Sequence, residues 1–483
     1  MKYKHLLVPI FLVFSFSDLA AQSYPFTLPD TITAFFDVNT NDNEIFNNKL
    51  LGYNIFGYTS NSEKDFIRKF DPITIRFPAG VWSNFYNWET DGYTRYNDSI
   101  FNNAPHSKVI ENYIHRNVKA GFSGLTVLNR EKKLVNKGKG YDVLWTYNLN
   151  YDSNKKTVER LINSDLEGFD VQDIELSNEN FWVNQRSTRI STPQKFLNVA
   201  KSLSDTLRKV KPGIRLSVPL SWRTSHKNYN AEITSDTTYF DAITIHKYIG
   251  SDPDKKSDSN LNYGDILTAR NSLENDVDYA RSFAPGKPVW LTEWGVNIGP
   301  QAAAFLGMAD CYLFLSENQK VYDRANWFCV NGVLNSFITF SGNRVIKYPL
   351  EITGFGAVYK IIRDVFENST MLAGSMTTSK LKPGSNAVNA RVVIRKGKIV
   401  VIAVNLTDRP VDFTLNFDNK KYGQSYNHEA MAFDCLSENK IIGIDANPLN
   451  VVKSGRGKII LPALSINKIA INNRCLKCED INR

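Results

Sequence analysis

From residue 51 onward, short β-rich runs alternate with longer stretches in which apolar residues recur every three or four positions. The β-rich runs fall at 51–58, 73–80, 141–149, 171–179, 214–222, 240–248, 288–295 and 324–332. Eight such runs, most followed by a helical stretch, predict an α/β fold of the (β/α)8 barrel type over 51–367. The helices carry their own signals. In 192–210, Thr192 stands as N-cap with Pro193 behind it, Phe196, Leu197, Val199, Ala200, Leu203 and Leu207 form the apolar stripe, and Lys211-Pro212-Gly213 stops the helix. The spacing predicts further helices at 263–284, 302–318 and 350–366.

Beyond about 368 the helical period fades. Alternating runs at 389–406 and 457–464 take over, and 368–483 is predicted to form a β-sandwich. A strand is also predicted at 30–40, ahead of the barrel, so the segment 22–50 is expected to pair into that sandwich.

The first residues change the picture of location. Lys2 and Lys4, an apolar run over 6–16, and Ala20 and Ala21 follow the order of a secretory leader, with an apolar run too short to span a bilayer. Residues 1–21 are therefore expected to be removed after Ala21 and the protein to be exported, periplasmic or extracellular, with no membrane span. The first cysteine, Cys311, lies far from that run, which argues against a lipid anchor. Cys311 and Cys329 read as buried thiols, and Cys475 and Cys478 form a lone CxxC without the further ligands a structural zinc needs. The formal charge is +9, about +8 without the leader, from scattered basic residues. That balance points weakly to an anionic substrate, and no motif accompanies it that would suggest nucleic acid.

The candidate chemistry lies at strand ends. Ile174-Glu175-Leu176-Ser177-Asn178-Glu179 closes the fourth predicted barrel strand, and Thr292-Glu293-Trp294 closes the seventh. The C-terminal ends of barrel strands build the active-site rim, which favours Glu179 and Glu293 as the reactive pair. Strand alternation puts Glu175, Ser177 and Glu179 on one face and Asn178 on the other, with Glu175 roughly 13 Å deeper at about 3.3 Å per residue. Glu175 therefore reads as a paired interior charge. Two carboxyl groups facing each other across a barrel mouth are what glycoside hydrolysis requires, one as acid/base and one as nucleophile in a retaining enzyme.

These residues resemble the clan A retaining glycoside hydrolases. The Asn178-Glu179 and Glu293 pattern matches that clan, Thr74-Ile75-Arg76-Phe77-Pro78-Ala79-Gly80 is similar to its strand-two arginine motif, His246-Lys247-Tyr248 to its strand-six His-x-Tyr, and Trp327 to its strand-eight tryptophan. Two positions depart from the pattern: Ala79 replaces the first glycine of an R-[FY]-P-G-G stretch, and Ser177 stands where many members have glycine. The resemblance implies Glu179 as general acid/base and Glu293 as nucleophile. It also implies that Asn178 binds the sugar hydroxyl beside the anomeric carbon, that Arg76 and Tyr248 hold Glu293 ionised, that His246 donates near the same subsite, and that Trp327 forms the floor.

Other readings stand beside these. Arg76 has a second reading as the counter-charge of Glu175, and His246 one as a structural histidine. Trp182 and Trp294 follow the two carboxylates and are expected to stack on sugar, whereas Trp82, Trp88, Trp145 and Trp222 are more often packing. Arg223 and His226, just past the fifth strand, are candidates for an anionic substituent. No cofactor and no metal are expected, because no two of the six histidines stand at ligand spacing. The substrate class expected is a polysaccharide or its oligosaccharides, with a sulfated or uronic algal galactan as one candidate. The alternatives are an exo-acting arabinofuranosidase, xylosidase or glucuronidase, and a non-catalytic glycan-binding barrel.

Overall fold

The computed structural model describes residues 24–55, 61–87, 92–93, 122–151, 169, 171–250, 263–329, 335–341, 345–346, 348–423 and 425–471. The leader-like segment 1–21, Trp88 and the Cys475/Cys478 pair lie outside the described residues. Eight parallel strands close into a barrel: Gly52–Asn54, Thr74–Phe77, Asp142–Tyr147, Asp173–Leu176, Arg215–Pro219, Ala242–Ile249, Val289–Val296 and Tyr322–Trp327, in chain order around the ring. Each lies within or overlaps its predicted run.

The helices also follow their local signals. Pro193–Val210 starts behind Thr192, whose hydroxyl accepts from the Lys195 N–H at 3.2 Å. The predicted 263–284 helix is instead two, Tyr263–Leu267 and Ala269–Arg281, broken at Thr268, whose backbone leaves the helical region and whose hydroxyl turns back onto the Gly264 carbonyl at 2.7 Å. Ala302–Glu317 has no polar face: residues 302–316 are all buried. One side packs on the barrel and the other on the second domain, which is why its composition is apolar all round.

That second domain is a ten-stranded mixed sheet. Thr33–Ile45 enters it from ahead of the barrel, running antiparallel to Thr370–Thr378 and parallel to Val411–Phe417. Asn450–Gly455 forms one end of the strand order, yet Ile459–Leu461, a few residues on, bonds to Val411–Phe417 near the other end. A link that short spans little distance, so the sheet curls until its two ends meet. The result is a layered β-domain against the barrel.

The opposite end of the barrel from the site is closed by charge. Arg324, fully buried, reaches Asp173 at 2.6 Å and Asp142 at 2.8 Å, and Asp173 also takes Arg215 and Lys49. Burial raises the Asp173 carboxyl, and these three cations outweigh it and hold the group well below its ordinary range.

Candidate active site

At the C-terminal end of the fourth strand the chain stops behaving as a strand. Regular pairing ends at Leu176, Ser177 takes φ +75° and Glu179 φ +44°, and the Ser177 N–H bonds back to the Glu175 carbonyl at 3.0 Å. Left-handed residues other than glycine are uncommon and concentrate where the surrounding structure holds them. Here they turn the chain so sharply that the alternation expected of a strand fails. Asn178 and Glu179 both reach the site, and Glu175 is not remote from it: its carboxylate lies 3.4 Å from His246, which stands 3.2 Å from Glu179. A φ of +75° lies in the left-handed region that favours glycine, and Ser177 occupies it. At the second strand, Ala79 has an extended backbone that any residue adopts, whereas Gly80 has φ +59° and its missing Cβ would lie 3.1 Å from Phe328 and 3.8 Å from a Glu293 oxygen. The chain thus keeps glycine at the position that needs it.

Arg76 is the hub. Fully buried, it donates through Nε and Nη2 to the two Glu175 oxygens at 2.7 and 3.0 Å, through Nη1 to Glu293 Oε2 at 3.1 Å and Asn54 Oδ1 at 3.1 Å, and through Nη2 to Asn178 Oδ1 at 2.8 Å. Its two readings are therefore both realised by one planar fork, a geometry a lysine ammonium does not offer. The other Glu293 oxygen accepts from the Tyr248 hydroxyl at 2.8 Å. Register assists: Glu293 sits opposite His246, and Asn54 opposite Arg76, in the barrel ladder.

Glu179 is held from a second direction. Gln185 donates to its Oε2 at 3.0 Å, while the Gln185 carbonyl oxygen of the side chain accepts from Asn84 at 2.7 Å and Asn178 at 3.0 Å. Asn54, Asn84 and Gln185 carry no motif in the sequence. They are buried amides, brought together only when the fold places the end of the first barrel strand beside the 3-10 turns that follow the second and fourth.

The charges nearly balance. His246 would be depressed by burial, but Glu293, Glu175 and Glu179 around it raise it to about 9, so it is an imidazolium at neutral pH. Tyr248 is pushed well above its ordinary value by burial and by Glu293, and stays a donor. Burial raises Glu175, and Arg76 and His246 outweigh it and hold the group ionised. Two cations then face three carboxylates, so a site this buried favours keeping one proton on the Glu179 and Glu293 pair. Burial and the Glu179 charge raise Glu293, whereas His246 and Gln185 overcome burial to lower Glu179, and the proton belongs to the pair.

One ligand atom from each of Glu179, His246 and Glu293 lies within 4.8 Å of the others, a spacing a divalent cation spans. Both Glu293 oxygens already accept hydrogen bonds, and the Arg76 guanidinium sits 3.1 Å away, so a metal there would face a buried positive neighbour. The donor set fits a hydrogen-bonded carboxylate pair better than a cation site.

The aromatic residues separate by strand face. Trp294 is fully buried, edge-on to Tyr312 at 5.0 Å and to Trp327 at 4.7 Å, on the helix side of the barrel wall. Trp327 is equally buried, with Nε1 donating to the Asn335 carbonyl at 3.0 Å. The expectation that these two rings meet a sugar does not hold, because alternation turns both outward into the core. The next residue, Phe328, faces the mouth instead, half-buried and 6.0 Å from Tyr248. Trp182 remains at the rim: with Glu179, His246, Tyr248, Trp222 and Arg223 it lines a cavity of about 300 Å³. His226 holds its Nδ1 against Ser221 Oγ at 2.8 Å, and its pKa is lowered by burial, Arg223 and Arg186.

No protein-family model matches the chain, and no curated protein matches it. Solved structures do. The chain is similar to the family 51 arabinofuranosidase of Xanthomonas axonopodis pv. citri (12% identity, TM-score 0.66, 91% of this chain and 100% of that one). It is similar to the α-L-arabinofuranosidase of Thermotoga maritima (12%, 0.67, 91% and 99%) and to the family 44 xyloglucanase of Paenibacillus polymyxa (12%, 0.61, 91% and 100%). The fold is that of these glycoside hydrolases. Among the described residues no helix is long and apolar enough to cross a membrane.

Proposed function

We propose that the chain is a retaining glycoside hydrolase acting on a polysaccharide or its oligosaccharides. The observation that carries this reading is the carboxylate separation: Glu179 and Glu293 bring oxygens within 4.8 Å of each other across the mouth. Retaining enzymes hold the pair about 5–5.5 Å apart and inverting ones about 6.5–9.5 Å, the wider gap leaving room for a water. The pair lies on the retaining side of these ranges.

Glu293, oriented by Tyr248 and Arg76, attacks the anomeric carbon and forms a covalent glycosyl-enzyme. Glu179 gives its proton to the departing glycosidic oxygen, then takes one from the water that releases the sugar. The two carboxyl groups share a proton, and the first step uses it on Glu179. A glycosidic oxygen accepting from Glu179 stabilises the proton there, and Arg76 and Tyr248 are placed to stabilise the charge left on Glu293. Asn178, fixed by Arg76 and Gln185, is available to the neighbouring sugar hydroxyl.

The test combines stereochemistry with two variants. The first-formed product, followed by proton NMR, should keep the anomeric configuration of the substrate. Glu293→Ala should lose turnover of every substrate, whereas Glu179→Ala should retain aryl glycosides with good leaving groups and be partly rescued by azide. Inversion, or equal loss in both variants on an activated substrate, refutes the assignment. Product size on a panel of neutral, uronic and sulfated polysaccharides separates endo from exo action.

A further inference from the structure

We propose that Gln185 is a positioning residue for Glu179: a relay of amides that starts at Arg76 locks its side chain in one orientation, so that it always donates to the acid/base carboxylate. The inference rests on the glycosidase reading and adds to it a residue that no motif marks. Gln185 ends the short 3-10 turn Val183–Gln185 behind the fourth strand and is buried. Its Nε2 donates to Glu179 Oε2 at 3.0 Å, while the other oxygen, Oε1, stands 3.2 Å from His246 Nδ1. In the first step Glu179 loses its proton to the leaving oxygen, and in the glycosyl-enzyme it must stand as a carboxylate aimed at water. An N–H donated to that carboxylate favours the charged form and fixes its direction.

A side-chain amide can be turned either way, and only one way gives Glu179 a donor. Here the neighbours decide it. A guanidinium only donates, so Arg76 holds Asn178 by its Oδ1 at 2.8 Å, which leaves Asn178 to offer Nδ2 to Gln185 Oε1 at 3.0 Å. A backbone carbonyl only accepts, so the Asn178 carbonyl holds the Asn84 amide by its Nδ2 at 3.3 Å, and the same nitrogen reaches Gln185 Oε1 at 2.7 Å. Two donors thus converge on Oε1 and turn Nε2 toward Glu179. The turn itself is pinned, because the Gln185 backbone carbonyl accepts from Asn150 Nδ2 at 3.2 Å and from Asn180 Nδ2 at 3.0 Å. The cation that holds Glu293 therefore also determines, through two amides, what Glu179 meets. The other charged or titratable groups around Glu179 are His246 with Glu175 behind it, Glu293, Arg76, Tyr248 and His226. Arg223 and Lys247 stand on the same cavity wall. A change at Gln185 leaves all of them in the chain.

Titration rather than turnover tests this. Carbon-13 NMR of the chain labelled at the glutamate carboxyl carbon follows the two groups directly, with their signals assigned from Glu179→Gln and Glu293→Gln. The pair titrates together, so both signals are followed and the step that dominates at Glu179 is compared between variants. Gln185→Met removes the donor at nearly constant volume, and the Glu179 midpoint should rise by about one pH unit, the size a hydrogen bond to a charged group supports. Gln185→Glu keeps an acceptor for Asn84 and Asn178 but sets a carboxylate against Glu179, so the midpoint should rise further than in Gln185→Met. This second variant is isosteric and decides the matter if the first does not fold. An unchanged Glu179 midpoint in either folded variant, or a lower one in Gln185→Glu than in Gln185→Met, overturns the proposal; a residue that only filled space would give neither the shift nor that order. Because no substrate is needed, both shifts in a chain that hydrolyses no glycoside sink only the glycosidase reading, and intact hydrolysis with an unmoved titration sinks only the role of Gln185.

Discussion

Removing Arg76 separates its two duties. In Arg76→Met, Glu175 keeps its place at 0% exposure but loses both guanidinium bonds, at 2.7 and 3.0 Å. An uncompensated interior charge costs about 3–5 kcal/mol. His246 still stands 3.4 Å from Glu175, which places the expected loss near the lower end, about 3 kcal/mol. With a urea dependence of about 3 kcal/mol per molar for a domain of this size, the unfolding midpoint falls by about 1 M. Tryptophan fluorescence reports the barrel alone, because all eight tryptophans precede residue 368. The double variant Arg76→Met, Glu175→Met exchanges the buried pair for apolar groups and should recover most of the midpoint, since such exchanges are often neutral. It should not recover activity, because Glu293 has also lost its cation. A loss under about 1 kcal/mol in the single variant, or a double variant no more stable than the single, would refute the buried-charge argument.

Two further outcomes follow from the same site. His246 is raised from 6.5 to about 9, so its contribution is fully present below pH 6.5 and is lost as pH rises through about 9. Thermal unfolding should show wild type losing roughly 3 kcal/mol over that window relative to His246→Gln, at 1.36 kcal/mol per pH unit, and parallel curves would count against the imidazolium. At Ser177, φ +75° disfavours any side chain, a branched one most. Ser177→Gly should be neutral to about 1 kcal/mol more stable and Ser177→Val about 2 kcal/mol less stable in the same urea titration; a tolerated valine would mean the left-handed turn is not required.

Much of this protein is legible along the chain because its signals are local. The eight barrel strands appear as short β-rich runs, and Thr192 with Pro193 marks a helix start, since propensity and capping act within a few residues. Glu179 and Glu293 stand out because strand ends of a closed barrel necessarily meet at one mouth, and Arg76, His246 and Tyr248 because their motifs resemble those of the clan A retaining glycoside hydrolases. Tertiary structure decided the rest. The left-handed turn at Ser177 and Glu179 brings Glu175 and Asn178 into a network that simple alternation separates. Orientation at the eighth strand turns Trp327 into the core and Phe328 toward the mouth, a difference of one residue. Asn54 and Gln185 became visible only when the ring closed around Arg76 and Glu179. Buried amides and charges are satisfied by whatever the fold places beside them, and a one-dimensional pattern carries no record of those neighbours.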